Sequence, residues 1–214
     1  MATLTLTTNT APGTPSTGAA VVYVDSTTKL LTSLNDAGVS QVAPLWKFNQ
    51  SVTAQGAGFS SDTYLVGSSI AIPSGYPRVG TLYHATFDVS KTNAGTATPI
   101  ITLRIGTLGT TGDAAICVFT FGAGTAVADV GTFEITGLFR TVGATTTAVV
   151  QGRAEIRHTA TATTGLIPTE SQTLQVTSSG FDSTVANSII GLSVNGGASA
   201  SWTVQLVTAE FRAL

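Results

Sequence analysis

Two histidines, one cysteine and eleven carboxylates are the side chains best suited to acid–base, thiol or metal chemistry in this chain. Their spacing argues against one. His84 and His158 each fall inside a stretch of strand-like alternation, with no Cys, His or carboxylate at metal-ligand spacing. A partly buried or interface histidine is the expectation for both. Cys117, in Ile116-Cys117-Val118-Phe119, is flanked by apolar residues and lacks the basic neighbour that would activate a thiol. It reads as an inert core residue, and a single cysteine excludes an intrachain disulfide. Gly191-Leu192-Ser193-Val194-Asn195 approaches a nucleophile elbow, but Asn195 stands where the second glycine is needed and no helix follows. Gly106, Gly109 and Gly112 lack the Lys-Ser/Thr ending of a phosphate loop, so they read as a turn.

Eight of the eleven carboxylates fall into two groups. Asp25, Asp36, Asp62, Asp113 and Asp182 sit in turn-like sequence, where a short acidic side chain bonds its own backbone. Glu134, Glu155 and Glu210 fall within strand-like runs, near Arg140, Arg157 and Arg212 respectively. Ion pairing on a sheet face is expected of them rather than the paired acid and base of glycoside hydrolysis. The chain therefore reads as no enzyme, with no catalytic, metal or cofactor site. A binding role is open. Carbohydrate recognition needs an aromatic platform beside amides or carboxylates, and Trp46, Trp202, Tyr64, Tyr76 and Tyr83 could supply one. The Tyr76-Pro77-Arg78 turn is the expected exposed aromatic, which makes Tyr76 the candidate glycan contact.

The elements that would position these residues are strands. From Pro44 onward the sequence predicts Tyr64–Ile72, Gly80–Val89, Ile100–Gly106, Ala115–Phe121, Gly131–Val142, Ala148–His158, Gln172–Thr177, Ile189–Val194 and Ser201–Phe211. Period-two alternation places Tyr83, Ala85, Phe87 and Val89 on one face, and likewise Ile101, Leu103 and Ile105, or Phe133, Ile135 and Phe139. Glycine-rich turns separate the runs. No three-turn helix and no repeat of 20–50 residues is apparent. The expectation is an all-β chain: an antiparallel β-sandwich or jelly-roll-like head over residues 44–214. Before it, residues 1–43 read as an extended arm and a short β-hairpin. The arm, residues 1–20, is rich in Thr, Pro, Gly and Ser and is expected to be flexible or to order on a partner.

Composition narrows the partners. Hydrophobic residues make up 43% and charged residues only 9% of the 214, with a net charge of −2. No basic cluster could neutralise a nucleic-acid backbone. Mean hydropathy is +0.34, yet the longest charge-free stretch, Ser183 to Ala209, is broken by Asn and Gly and alternates like a strand, so membrane insertion is not expected. Met1-Ala2-Thr3-Leu4-Thr5 lacks the basic and apolar regions of a signal peptide, so synthesis in a cytoplasm is expected. The three lysines, Lys29, Lys47 and Lys91, can guard few sheet edges, and unguarded edges invite pairing. Sister copies are the simplest cover, and an arm before a compact head suggests a homotrimer.

Val21-Val22-Tyr23-Val24-Asp25, then Lys29-Leu30-Leu31, then Asn35-Asp36-Ala37-Gly38, behind the Pro12 to Pro15 leader, resembles a module near the N-termini of tailed-bacteriophage tail-fibre and related virion proteins. Asp62-Thr63-Tyr64-Leu65-Val66-Gly67-Ser68, Gly80-Thr81-Leu82-Tyr83 and the stretch from Thr177 to Asn187 resemble the β-heads behind such modules. The resemblance implies a trimeric surface appendage of the virion, made in the host cytoplasm, with the N-terminal part on the particle and the head outward. Pro12, Pro15, Val22, Val24 and Leu30 would make the attachment, and other virion proteins would be the partners. The resemblance leaves tail or capsid open; the chain is short for a host-recognising tail fibre, and its length suits a compact head fibre or a capsid decoration protein equally well. The alternative function is a carbohydrate-binding receptor-recognition module that contacts a host surface glycan.

Overall fold

The computed structural model describes residues 8–26, 31–42, 45–73, 76–160, 163–197 and 201–213. Every regular element among them is a strand: β1 (Thr8–Asn9), β2 (Ala20–Asp25), β3 (Leu31–Asn35), β4 (Ser40–Val42), β5 (Leu45–Ser51), β6 (Gln55–Gly58), β7 (Thr63–Tyr64), β8 (Ile70–Ala71), β9 (Leu82–Lys91), β10 (Ile100–Gly106), β11 (Ala114–Thr120), β12 (Asp129–Thr141), β13 (Val149–His158), β14 (Ser171–Thr177), β15 (Ile189–Asn195) and β16 (Trp202–Ala213). The all-β, antiparallel expectation holds, apart from one short parallel pair, β1 on β2.

Three sheets result. The long one runs β14-β13-β12-β9-β16-β5, with β6 also on β16. The shorter one runs β11-β10-β15-β7, with β8 also on β15. A small one runs β1-β2-β3-β4. The alternation read from sequence is the reason the first two face each other. Tyr83, Ala85, Phe87 and Val89 of β9 and Phe133, Ile135 and Phe139 of β12 all turn inward, and so do Ile101, Leu103, Leu192 and Val194 of the shorter sheet. A bulge between Val204 and Leu206 shifts the parity of β16. That shift lets Trp202 and Val204 share the inner face with Val207, Ala209 and Phe211. Between the sheets there is no room for a side chain at Gly152, where a Cβ would lie 2.7 Å from Phe119 Cζ and 2.8 Å from Cys117 Sγ. Aromatic rings pack nearby in the core, with Phe133 stacked on Phe87 at 4.9 Å and edge-on to Phe121 at 5.3 Å.

Several expectations need correction. The single strand Tyr64–Ile72 is two bridges, β7 and β8. Between them the chain turns through Gly67 at φ 91°, and the Ser68 hydroxyl bonds the Leu65 carbonyl at 2.7 Å. β5 and β6 were not anticipated at all. β5 alternates in the reverse sense to a core strand, with Trp46 70% and Phe48 60% exposed. The arm is not wholly unpaired, because Thr8 and Asn9 add to β2, and the hairpin gains β4 as well.

Part of the edge cover comes from the chain itself. Against β5, Lys47 Nζ donates to the Ala71 carbonyl at 2.8 Å and Asn49 Nδ2 to that of Ser69 at 2.7 Å. At the other side the sheets are tied by the Gly122 amide, which donates to the Gln172 side chain at 2.9 Å.

Candidate functional site

The residues singled out for chemistry fall in three places. The first is the sandwich interior. Cys117 is buried, and burial pushes its thiol up to about 11, against a smaller pull from the Gly152 backbone. A thiolate is the reactive form, so this side chain is inert at neutral pH. Ser193 is likewise buried and accepts from Arg104 Nε at 2.7 Å. It has no elbow geometry, since β15 runs on through it. The glycines at 106, 109 and 112 belong to a loop gathered on Asp113, which accepts from the amides of Leu108, Gly109 and Thr110 at 2.7–3.3 Å.

The second place is one end of the sandwich. His158 and Asp129 are fully buried there, with His158 Nδ1 2.6 Å from Asp129 Oδ2 and Nε2 2.5 Å from the Thr169 carbonyl. Asp129 also accepts from the amides of Val130, Ala160 and Leu166 at 2.8, 3.0 and 2.7 Å. Burial alone would raise this carboxyl. The amides and His158 outweigh it and hold it below the ordinary carboxylate value. Lys91 is buried nearby, with Nζ donating to the carbonyls of Thr125 and Val127 at 2.7 and 2.6 Å. Burial lowers its ammonium, and Asp129 opposes that shift. Apart from the Asp129–His158 contact these groups bond mainly backbone, and together they clamp the loops before β12 and after β13.

The third place is the outer face of the long sheet. Cross-strand register sets Phe48, Glu210, His84, Thr136 and Arg153 in one row, and Gln50, Thr208, Thr86, Glu134 and Glu155 in the next. His84 lies between two carboxylates, with Nε2 3.3 Å from Glu134 and Nδ1 3.4 Å from Glu210. Glu210 also pairs with Arg212 and accepts from Trp46 Nε1 at 3.2 Å. Burial would raise the Glu210 carboxyl, but Arg212, His84 and Trp46 together hold it below its ordinary value. Glu155 is shared by Arg157 at 2.8 Å and Arg153 at 2.5 Å. The expected pairs of Glu155 and Glu210 thus form, whereas Glu134 meets His84 rather than Arg140. A shallow groove of about 490 Å³ runs along this face, lined among others by Asp88, Thr132, Arg157 and Gln205.

Tyr76 is not the exposed aromatic that its turn suggested. It is 6% exposed, and Arg78 covers its ring at 5.2 Å. It lines a separate pocket of about 250 Å³ with Ile72, Val142 and Asn187. Trp46 and Phe48 are the exposed rings. Alternation with Leu45, Lys47 and Asn49 was the signal that could have found them. Of the attachment candidates, Val22 is 59% exposed, Pro12, Pro15 and Val24 are half-buried, and Leu30 lies outside the described residues.

Among the described residues, no group of three or more His, Cys, Asp or Glu could hold a metal ion, and no helix is long and apolar enough to cross a membrane. These features define a two-sheet antiparallel β-sandwich with a small accessory sheet and a polar, aromatic-edged outer face.

No family model matches the chain, and no curated protein matches it. Two solved structures resemble it weakly. One is the D431N mutant VP2 protein of infectious bursal disease virus in derived T=1 particles, 11% identical, with a TM-score of 0.23, covering 81% of this chain and 42% of that one. The other is infectious bursal disease virus, Gx strain, 13% identical, with a TM-score of 0.23, covering 87% and 43%. This chain spans less than half the length of either, and likenesses this slight carry no argument about function.

Proposed function

We propose that this chain is a non-enzymatic structural protein of a tailed-phage virion. In this reading it is a trimeric fibre-like or capsid decoration protein, made in the host cytoplasm and carried on the particle surface. Its N-terminal sheet docks on another virion protein, and its sandwich faces outward. The observation that carries the reading is the character of the small sheet. Tyr23, Thr32 and Leu34 are buried, while Val22 at 59%, Leu31 at 42% and Val39 at 59% are left exposed. Val22 and Leu31 share the face opposite Tyr23, across the β2–β3 register. An apolar face on a sheet of short strands is a surface suited to a partner. The resemblance of Gly18–Gly38 to a module near the N-termini of phage tail-fibre and related virion proteins supports the same assignment.

Docking by the small sheet would draw on main-chain pairing along its short edge strands, β1 and β4. Ordering an arm costs conformational entropy, and three arms presented together offset that cost through effective concentration. Removing residues 1–20 is expected to leave a soluble trimer that no longer enters particles, measured by probing purified virions with an antibody to the sandwich. Incorporation at the full-length level would refute attachment through the arm.

A further inference from the structure

We propose that the outer face of the long sheet, centred on Trp46, binds a neutral oligosaccharide. Trp46 is 70% exposed, and its one polar atom is already committed to Glu210 at 3.2 Å. That bond draws the indole over β16 and leaves its ring to solvent. Phe48 is 60% exposed two residues along the same face, about 7 Å away at strand spacing. Beside these rings lie the acceptors and donors that sugar hydroxyls require. Glu210 and His84 stand in the row of Phe48, and Gln50, Thr208 and Thr86 in the next. A pyranose has an apolar face for a ring and an equatorial belt of hydroxyls for such groups, which is the pairing seen here.

Three observations choose this ligand over others. The charges are offset in place, Glu210 by Arg212, and Glu155 by Arg153 and Arg157. A polyanion would find no net field to draw it. A second copy of the chain is disfavoured because two rings amid polar side chains do not make the charge-depleted core of a subunit interface. Strand addition on β5 is hindered too. Gly67 packs against its edge so closely that a Cβ there would lie 2.5 Å from the Ser51 amide nitrogen.

The test uses the full chain and the hexasaccharides of glucose, mannose, galactose, rhamnose and N-acetylglucosamine, read by tryptophan emission and iodide quenching. Trp202 is 2% exposed, so the quenchable emission belongs to Trp46. At least one hexasaccharide is expected to shield Trp46 from iodide. In calorimetry, Trp46→Ala is expected to weaken that binding about tenfold or more. Phe48→Ser should weaken it as well, and Val118→Ala, on the other sheet, should not change it. Failure of all five sugars to shield Trp46 would overturn the proposal, as would full affinity in Trp46→Ala. So would shielding that grows with protein concentration in the absence of sugar, which would mark an interface between copies. None of these readings involves particle assembly, so this site and the virion assignment stand or fall separately.

Discussion

With three backbone amides and His158 converging on one carboxylate, Asp129 fastens the turn after β13, through Ala160 and Leu166, onto the end of the sandwich. Its carboxyl is held below the ordinary value, so it binds a proton less readily folded than unfolded. The stability this contributes is complete above about pH 4, the ordinary carboxylate value, and is lost as the pH falls through the lower native value. Asp129→Asn keeps the shape but turns a donor toward one of the amides. It is expected to cost about 2 kcal/mol in urea denaturation at pH 7 and to flatten the acid limb of a stability profile. An unchanged acid limb would mean that other carboxylates set it. At this scale the sequence was partly legible. Strand placement made Cys117 a core thiol, and local charge matched Glu155 and Glu210 to their arginines. The Asp129–His158 contact spans 29 positions and depends on register, which no local pattern encodes. Tyr76 was misjudged because a turn residue is exposed only if nothing folds over it, and Arg78 does.

At the scale of elements, β12 is the keystone. It pairs with β9 on one side and β13 on the other, and presents Phe133 to three rings: Phe87 at 4.9 Å, Phe121 at 5.3 Å and Trp202 at 5.6 Å. Phe133→Ala is expected to cost 3–5 kcal/mol, roughly the range for emptying a buried aromatic site, measured by the shift in denaturation midpoint at constant slope. A loss below about 1 kcal/mol would mean that the neighbouring rings collapse into the space. Strands of this kind were legible because inward residues recur every second position over long runs. β5 was not, since its apolar rings point outward and its inward positions carry Lys47 and Asn49, the inverse of the usual signal. β7 and β8 were merged because the apolar run through Leu65 and Val66 hides a turn made by Gly67 and Ser68. The bulge in β16 was equally silent, for alternation simply resumes beyond it.

For the whole molecule, the proposed trimer predicts that the purified full-length protein sediments at three times the mass of one chain, over a range of concentrations. A stable single-chain species at high concentration would remove the main reason for invoking sister subunits. The scarcity of lysine points to that reading, yet Gly67 packed against Ser51, with Lys47 and Asn49 tied to the Ser69–Ala71 segment, shows the chain itself obstructing part of the β5 edge. β16 lies inside the long sheet between β9 and β5, and its partner residues in β5 are some 160 positions earlier. β5 can therefore join the sheet only once β16 is seated, and pairing across so long a separation is intrinsically slow. Until that happens β9 is left as an open edge, the kind of edge on which foreign strands add.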